Sequence, residues 1–225
     1  MKIAVITGDI VNSTEMTLEN KKIFYDSLLK YFKELESLYN VKIEMFRGDS
    51  FQCIVESIQN ALQISLLIKT FIRSLMSETQ PVNLKTKDKS YKVIGQIRYN
   101  ARISIGIGDM DFVHNSALTS DGTAFRISGR YLDEMKSKKQ FFVIATDDEY
   151  NSELNMESLL LDVIMNSNSI QQNEVINKKL LGSTELQIAE MLNIKQPAVN
   201  QRLNLANWHA IDAMLKHFKS LYCNG

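Results

Sequence analysis

Cysteine is nearly missing: Cys53 and Cys223 are the two in 225 residues. One lies in a strand-like run and the other near the chain end, so no disulfide framework is expected and a reducing compartment is. Proline (2) and glycine (9) are scarce as well. No segment is low in complexity, which excludes a long disordered tail, so nearly all of the chain should fold. Neither sign of charge is in excess, with 26 Lys and Arg against 26 Asp and Glu. A neutral chain carries no global electrostatic footprint for nucleic acid or anionic lipid, so any DNA-binding patch must be local. Long apolar runs are lacking too. The longest, Ile64 to Ile72, is broken by Ser65, Lys69 and Thr70, and the opening MKIAVITGD is too short for a signal-peptide core. A cytoplasmic protein with no membrane partner is predicted.

What is present divides in two, because 225 residues exceed the usual domain of about 100–150. Residues 2–8 (KIAVITG) are almost continuously apolar and rich in β-branched side chains, as in a strand covered on both faces. Phe24, Leu28, Phe32, Leu35 and Leu38 recur at helical spacing between Lys and Glu. Residues 41–47 and 51–55 flank Gly48-Asp49-Ser50 and read as a hairpin, with Gly48 able to take positive φ and Asp49 tolerating it. Ile58 to Leu75, capped by Ser57, is apolar almost all round. A polar stretch from about 77 to 91 follows, then a strand over 99–108 whose Ile103, Ile105 and Ile107 alternate with Arg102, Ser104 and Gly106, leaving one face small enough for something to approach. A helix over 123–136 and a strand over 141–146 complete β-α-β-β-α-β followed by α-β, the ferredoxin-like split. The boundaries read as a ferredoxin-type domain over 1–147, a helical linker over 148–169 with a hinge at Asn166 to Ser169, and an all-helical domain over 170–225. The fold class is α+β followed by all-α.

Two carboxylates stand where this fold brings strand ends together: Asp9 at the exit of the first strand and Asp49 in the hairpin tip. An unpaired like-charge pair is costly, whereas divalent cations bridging to phosphate make it favourable, as metal-assisted phosphoryl chemistry requires. Asn12, Ser13 and Thr14 then lead towards a helix N-terminus suited to phosphate. Gly-Asp and Asp-x-x-Asn-Ser are also ordinary turn and capping sequences, so spacing alone leaves both readings open. His114, in a polar loop with no second ligand nearby in sequence, reads as surface.

Four segments in order, ITGDIVNST, FRGDSFQ, ISIGIG and SDGTAFRISGR, resemble the motifs of class III nucleotidyl cyclases. The whole chain resembles the SatD-like family, a cyclase-like (palm-type) ferredoxin-like domain fused to a helix-turn-helix. The resemblance implies Mg²⁺ or Mn²⁺ on Asp9 and Asp49, and a nucleoside triphosphate or related nucleotide held by Ile10, Asn12, Ser13, Thr14 and Arg126. It further implies Arg130 as the catalytic, transition-state arginine, and a homodimer, because cyclase sites form between subunits. Two positions depart from the pattern. Arg126 stands where cyclases carry Asn, and Met45 where a base-selecting Lys precedes the second aspartate. A thioether cannot donate to a purine acceptor as an ammonium does, which puts cyclase-type base selection in question. Arg126 with Arg130 one turn on still suits phosphate.

The stretch TELQIAEMLNIKQPAVNQRL follows the helix-turn-helix pattern residue by residue. Ala189 is small where two helices approach. Ile188, Leu192, Ile194, Val199 and Leu203 supply the shared core, and Asn193 takes the turn position usually given to Gly. The second helix offers Lys195, Gln196, Asn200, Gln201, Arg202 and Asn204 to double-stranded DNA. A helical hairpin used for packing alone has the same pattern. The leading expectation is a DNA-binding regulator with a metal-dependent nucleotide-binding domain. The competing ones are an active nucleotidyl cyclase or nucleotide polymerase, and an inactive dimerisation domain.

Overall fold

A computed structural model describes residues 1–75, 79–85, 90–96, 98–112 and 121–223. The strands are β1 (Lys2–Val11), β2 (Lys42–Phe46), β3 (Ser50–Val55), β4 (Thr79–Lys85), β5 (Ser90–Gln96), β6 (Asn100–Phe112), β7 (Asp121–Gly122) and β8 (Phe142–Thr146). The helices are α1 (Leu18–Tyr39), α2 (Ala61–Ser74), α3 (Thr123–Lys138), α4 (Asn151–Ser167), α5 (Ile170–Leu180), α6 (Glu185–Leu192), α7 (Gln196–Leu205) and α8 (Trp208–Tyr222). The main sheet runs β2-β3-β1-β6, all neighbours antiparallel, with β8 parallel to β6 and the short β7 on the far end of β6. The polar stretch after α2 contains an antiparallel pair, β4 with β5. Its apolar alternation is too short to stand out from the polar residues around it.

The continuous apolar character of β1 has a simple cause, since both faces are covered. Ala4, Ile6 and Ile10 pack with Phe24, Leu28, Phe32 and Leu35 of α1 and with α2, while Ile3 and Val5 pack on Ala124 and Phe125 of α3. The small face of β6 does receive something, namely α3 of the same chain. A Cβ built on Gly106 would lie 2.4 Å from the Ala124 carbonyl oxygen and 2.5 Å from the Ser128 amide, so only glycine allows this approach. Beside it the Thr7 and Ser128 hydroxyls share a buried hydrogen bond of 2.9 Å. In the β2–β3 turn the left-handed residues are Arg47 (φ 51°) and Gly48 (φ 83°), and not Asp49.

The segment expected to hinge at Asn166 to Ser169 is held in place. The Arg73 guanidinium of α2 donates to the carbonyls of Asn166 (3.1 Å) and Asn168 (3.0 Å), and Asn168 is buried. Ser169 begins α5 with a capping box completed by Gln172. The helix α5 then packs on α2, and one apolar cluster runs from the α1/α2 layer through Val175, Ile176 and Leu180 to Ile188, Val199, Leu203, Ile211 and Phe218. Asn177 fastens the two halves. Its amide lies within 2.9–3.0 Å of the Tyr31 hydroxyl, the Leu67 carbonyl and the Thr70 hydroxyl. The final helix returns to the sheet edge, where the Tyr222 hydroxyl donates to Asp148 at 3.2 Å. Among the described residues no helix is long and apolar enough to cross a membrane.

Candidate functional site

Strand register determines what meets at the exit of β1. Asp9 stands opposite Ser50 on β3 and opposite Arg102 on β6. The adjoining Ile10 amide donates to the Asp49 carbonyl at 2.8 Å, tying the hairpin tip to the end of β1. The two acids expected to converge therefore belong to one corner of the sheet. Their carboxylates are separately engaged. Arg102 reaches both oxygens of Asp9 (3.4 and 3.2 Å), and Lys136, from the last turn of α3, lies 3.8 Å away. Asp49 accepts from the Ser13 hydroxyl at 2.9 Å.

Burial pushes the Asp9 carboxyl above its ordinary range; Arg102 and Lys136 pull it down, and the negative charge of Asp49 pushes it up again. Tyr25 of α1 faces the same corner. Its hydroxyl is pushed up to about 12 by burial and then by Asp49. Three buried polar atoms at or near this corner lack a hydrogen-bond partner among the described residues: the Tyr25 hydroxyl, Arg102 Nε and the Ser104 hydroxyl. Unsatisfied buried donors of this kind are costly and mark places where an acceptor would be stabilised.

The loop after β1 differs from expectation in one respect. Asn12 is left-handed (φ 59°), Ser13–Glu15 makes a single 3₁₀ turn, and the helix proper starts only at Leu18, capped by Thr17. Thr17 Oγ takes the Asn20 amide, which moves the helix N-terminus away from the Asn12–Thr14 run. Asn12 and Thr14 are exposed, Ser13 is buried, and the Ile10 amide is already spent on Asp49.

Of the two arginines of α3, Arg126 lies away from this corner. Arg126 sits at the opposite end of the sheet, paired with Asp121 (3.2 Å) and Asp111 (3.4 Å). Arg130 is exposed, with its guanidinium 5.3 Å from the Tyr131 ring centroid. One chain thus collects Asp9, Asp49, Arg102 and Lys136 at a corner to which Arg126 does not belong. Sequence reasoning missed Arg102 and Lys136 as partners of Asp9. The strand pattern contained Arg102, but only the β1–β6 register sets it opposite Asp9. His114 lies outside the described residues.

In the C-terminal helices Asn193 is left-handed (φ 50°, ψ 47°) and ends α6, and Ile188, Ala189, Val199 and Leu203 are buried between α5, α6 and α7. Lys195, Gln196, Asn200, Gln201 and Asn204 are exposed and Arg202 is half-buried. The amides form a ladder along α7: Asn204 donates to Asn200 (2.9 Å), while Asn200 (3.4 Å) and Gln196 (2.6 Å) donate to Glu185. The face that lacks an acid in its own helix receives one from α6.

No family model and no curated protein matches the chain. Among solved structures it is similar to a bacterial light-regulated adenylyl cyclase, at 15% identity and TM-score 0.39 over 64% of this chain and 74% of the other. It is also similar to the non-canonical dimeric guanylyl cyclase domain of the RhoGC fusion protein from Blastocladiella emersonii, at 16% identity and TM-score 0.40 over 68% and 82%. A third is the GGDEF domain of DgcB from Caulobacter crescentus, solved with c-di-GMP, at 13% identity and TM-score 0.37 over 64% and 77%.

Proposed function

We infer that the chain is a nucleotide-responsive DNA-binding regulator. Residues 1–147 are read as a ferredoxin-like, cyclase-type unit, 148–169 as its helical linker and 170–225 as a helix-turn-helix acting in a homodimer. The observation that carries this reading is the corner shared by Asp9 and Asp49, beside the half-buried Arg102, whose buried Nε has no acceptor among the described residues. Asp9 and Asp49 would hold Mg²⁺ or Mn²⁺, which when bound supplies positive charge against a polyphosphate. The residues suit such an ion: two oxygen donors, one largely desolvated, and a half-exposed Lys136 that can turn from Asp9 to phosphate. Arg102 would point its orphaned Nε at a phosphate oxygen, and Asn12 and Thr14 would add donors at the rim. Arg126, at the far end of the sheet from Asp9, and the exposed Arg130 would act towards a partner's site.

Titration calorimetry of the purified protein with each nucleoside triphosphate and Mn²⁺ tests the N-terminal half. Binding of at least one triphosphate is expected, weakened at least about tenfold (1.4 kcal/mol) by Asp9→Asn and by Arg102→Met. Equal affinity in the wild type and both variants would end this reading. Fluorescence anisotropy against a genomic fragment library tests the other half, where binding no tighter than to random duplex at low salt would end it.

One observation favours a second reading. The Asp9–Arg102 pair is already compensated without any ion, as in a domain kept for dimerisation alone. That reading requires nucleotide and Mn²⁺ to leave the melting temperature unmoved. An active cyclase or polymerase would instead release pyrophosphate, with loss on Asp9→Asn and Arg130→Ala.

A further inference from the structure

A second group of metal-ligating side chains lies far from the Asp9 corner, where α8 crosses α4. Glu153 and Glu157 are one turn apart on α4, and His217 projects from α8 between them. His217 Nε2 is 2.8 Å from Glu153 Oε1 and 3.7 Å from Glu157 Oε1. One ligand atom from each of the three residues lies within 4.8 Å of the other two. Bonds of about 2.0–2.1 Å at a tetrahedral angle separate ligand atoms by about 3.3 Å, so small side-chain adjustments bring these donors to the edges of one coordination tetrahedron.

We propose that Glu153, Glu157 and His217 form a Zn²⁺ site that clips α8 to α4 and leaves a fourth position open. Three features point there. First, carboxylates at i and i+4 on one helix repel each other, a cost that a cation between them removes. Second, Oε2 of Glu157 is buried and has no hydrogen-bond partner among the described residues. A hydrogen bond from His217 Nε2 to Glu153 leaves the Glu157 carboxylate 3.7 Å away without that donor, whereas a divalent cation engages both acids. Third, imidazole with two carboxylates is a donor set that selects Zn²⁺ over Mg²⁺ or Ca²⁺, which take oxygen ligands. The open position would face an open apolar groove of about 380 Å³ lined by Leu160, Leu161, Ile164, Ala213 and Met214.

The experiment is calorimetric titration of ZnCl2 into untagged, EDTA-stripped full-length protein, with the melting temperature recorded in parallel. One Zn²⁺ per chain and a raised melting temperature are expected. In the Asp9→Asn background, which removes a ligand proposed at the β1 exit, Glu157→Gln and His217→Gln should each weaken binding at least about tenfold, while His209→Gln leaves it unchanged. That background separates this site from the one proposed at the β1 exit, so either can fail alone. Absence of Zn²⁺ binding in the wild type overturns the proposal. So does binding that survives His217→Gln at full affinity, or that is lost with Asp9→Asn instead.

Discussion

Replacing Asn177 with leucine removes the principal polar fastening between the C-terminal helices and the sheet's helical layer, and the structure says how much that should cost. The side chain has two N–H donors shared among three acceptors, the Tyr31 hydroxyl, the Leu67 carbonyl and the Thr70 hydroxyl, and its own carbonyl faces the Tyr31 hydroxyl at 3.3 Å. Allowing two donated bonds and one accepted, at about 1 kcal/mol net each, the loss is about 3 kcal/mol. The partners do not relax alike. Thr70 keeps its bond to the Leu66 carbonyl at 2.7 Å, but Tyr31 is held by a parallel stack on Phe71, with centroids 3.9 Å apart, so its hydroxyl cannot turn to water. Leucine branches at Cγ as asparagine does but is the larger side chain, so no cavity forms and crowding can only add to the loss. Urea unfolding followed by fluorescence of Trp208, the sole tryptophan, should show a loss of about 2–4 kcal/mol, or a midpoint lowered by about 1 M or more at an ordinary slope. Tyr31→Phe should be less harmful in the Asn177→Leu background than in the wild type, because their effects share bonds. A change below about 0.5 kcal/mol, the range of ordinary surface substitutions, would refute the assignment of this amide as a buried fastening.

Four further outcomes follow from the same structure. Lys69 is fully buried among the Asn100 side-chain oxygen and the carbonyls of Ala101 and Phe141, and burial lowers its amine to about 7. Between about 7 and the unfolded value near 10.4 the unfolded chain holds a proton that the folded chain lacks. Stability should therefore rise with pH across that window, by up to about 1.4 kcal/mol per unit relative to Lys69→Met. Three oxygen acceptors favour the ammonium and would narrow the window, and parallel pH–stability curves for the two proteins would show that Lys69 does not titrate there. Gly106→Ala drives a methyl group into the backbone of α3 and should cost about 1–3 kcal/mol by thermal melting, with wild-type stability as the contrary result. Asn193→Gly should lie within about 0.5 kcal/mol of wild type and Asn193→Ala should lose about 1–2 kcal/mol, because only the latter pays for the left-handed backbone; equal melting points would exclude this. If α7 meets DNA as proposed, Glu185→Gln, which removes the acid that accepts from Gln196 and Asn200, should increase duplex affinity measured by anisotropy at low salt; unchanged affinity would count against α7 as the DNA-facing helix.

The comparison of Asp9 with Arg126 shows how far a motif carries. The resemblance to cyclase motifs puts both in one phosphate-handling set, yet within the chain one lies at the exit of β1 and the other at the far end of the same sheet. Arg102 carried no motif at all, yet it is the residue that touches Asp9.

Local chemistry was enough to determine much of this protein. Unbroken β-branched runs marked the strands at the centre of the sheet, three- and four-residue apolar spacing marked the helices, and Ala189 with Asn193 marked the tight turn between α6 and α7, because each depends on neighbours within a few residues. Tertiary structure alone decided which charges face one another, that α3 fills the small face of β6, and that the Asn166–Ser169 junction is locked by Arg73. Those outcomes depend on strand register and on helices meeting over a hundred residues apart, where a shift of one residue exchanges the two faces of a strand and no short-range pattern records the choice.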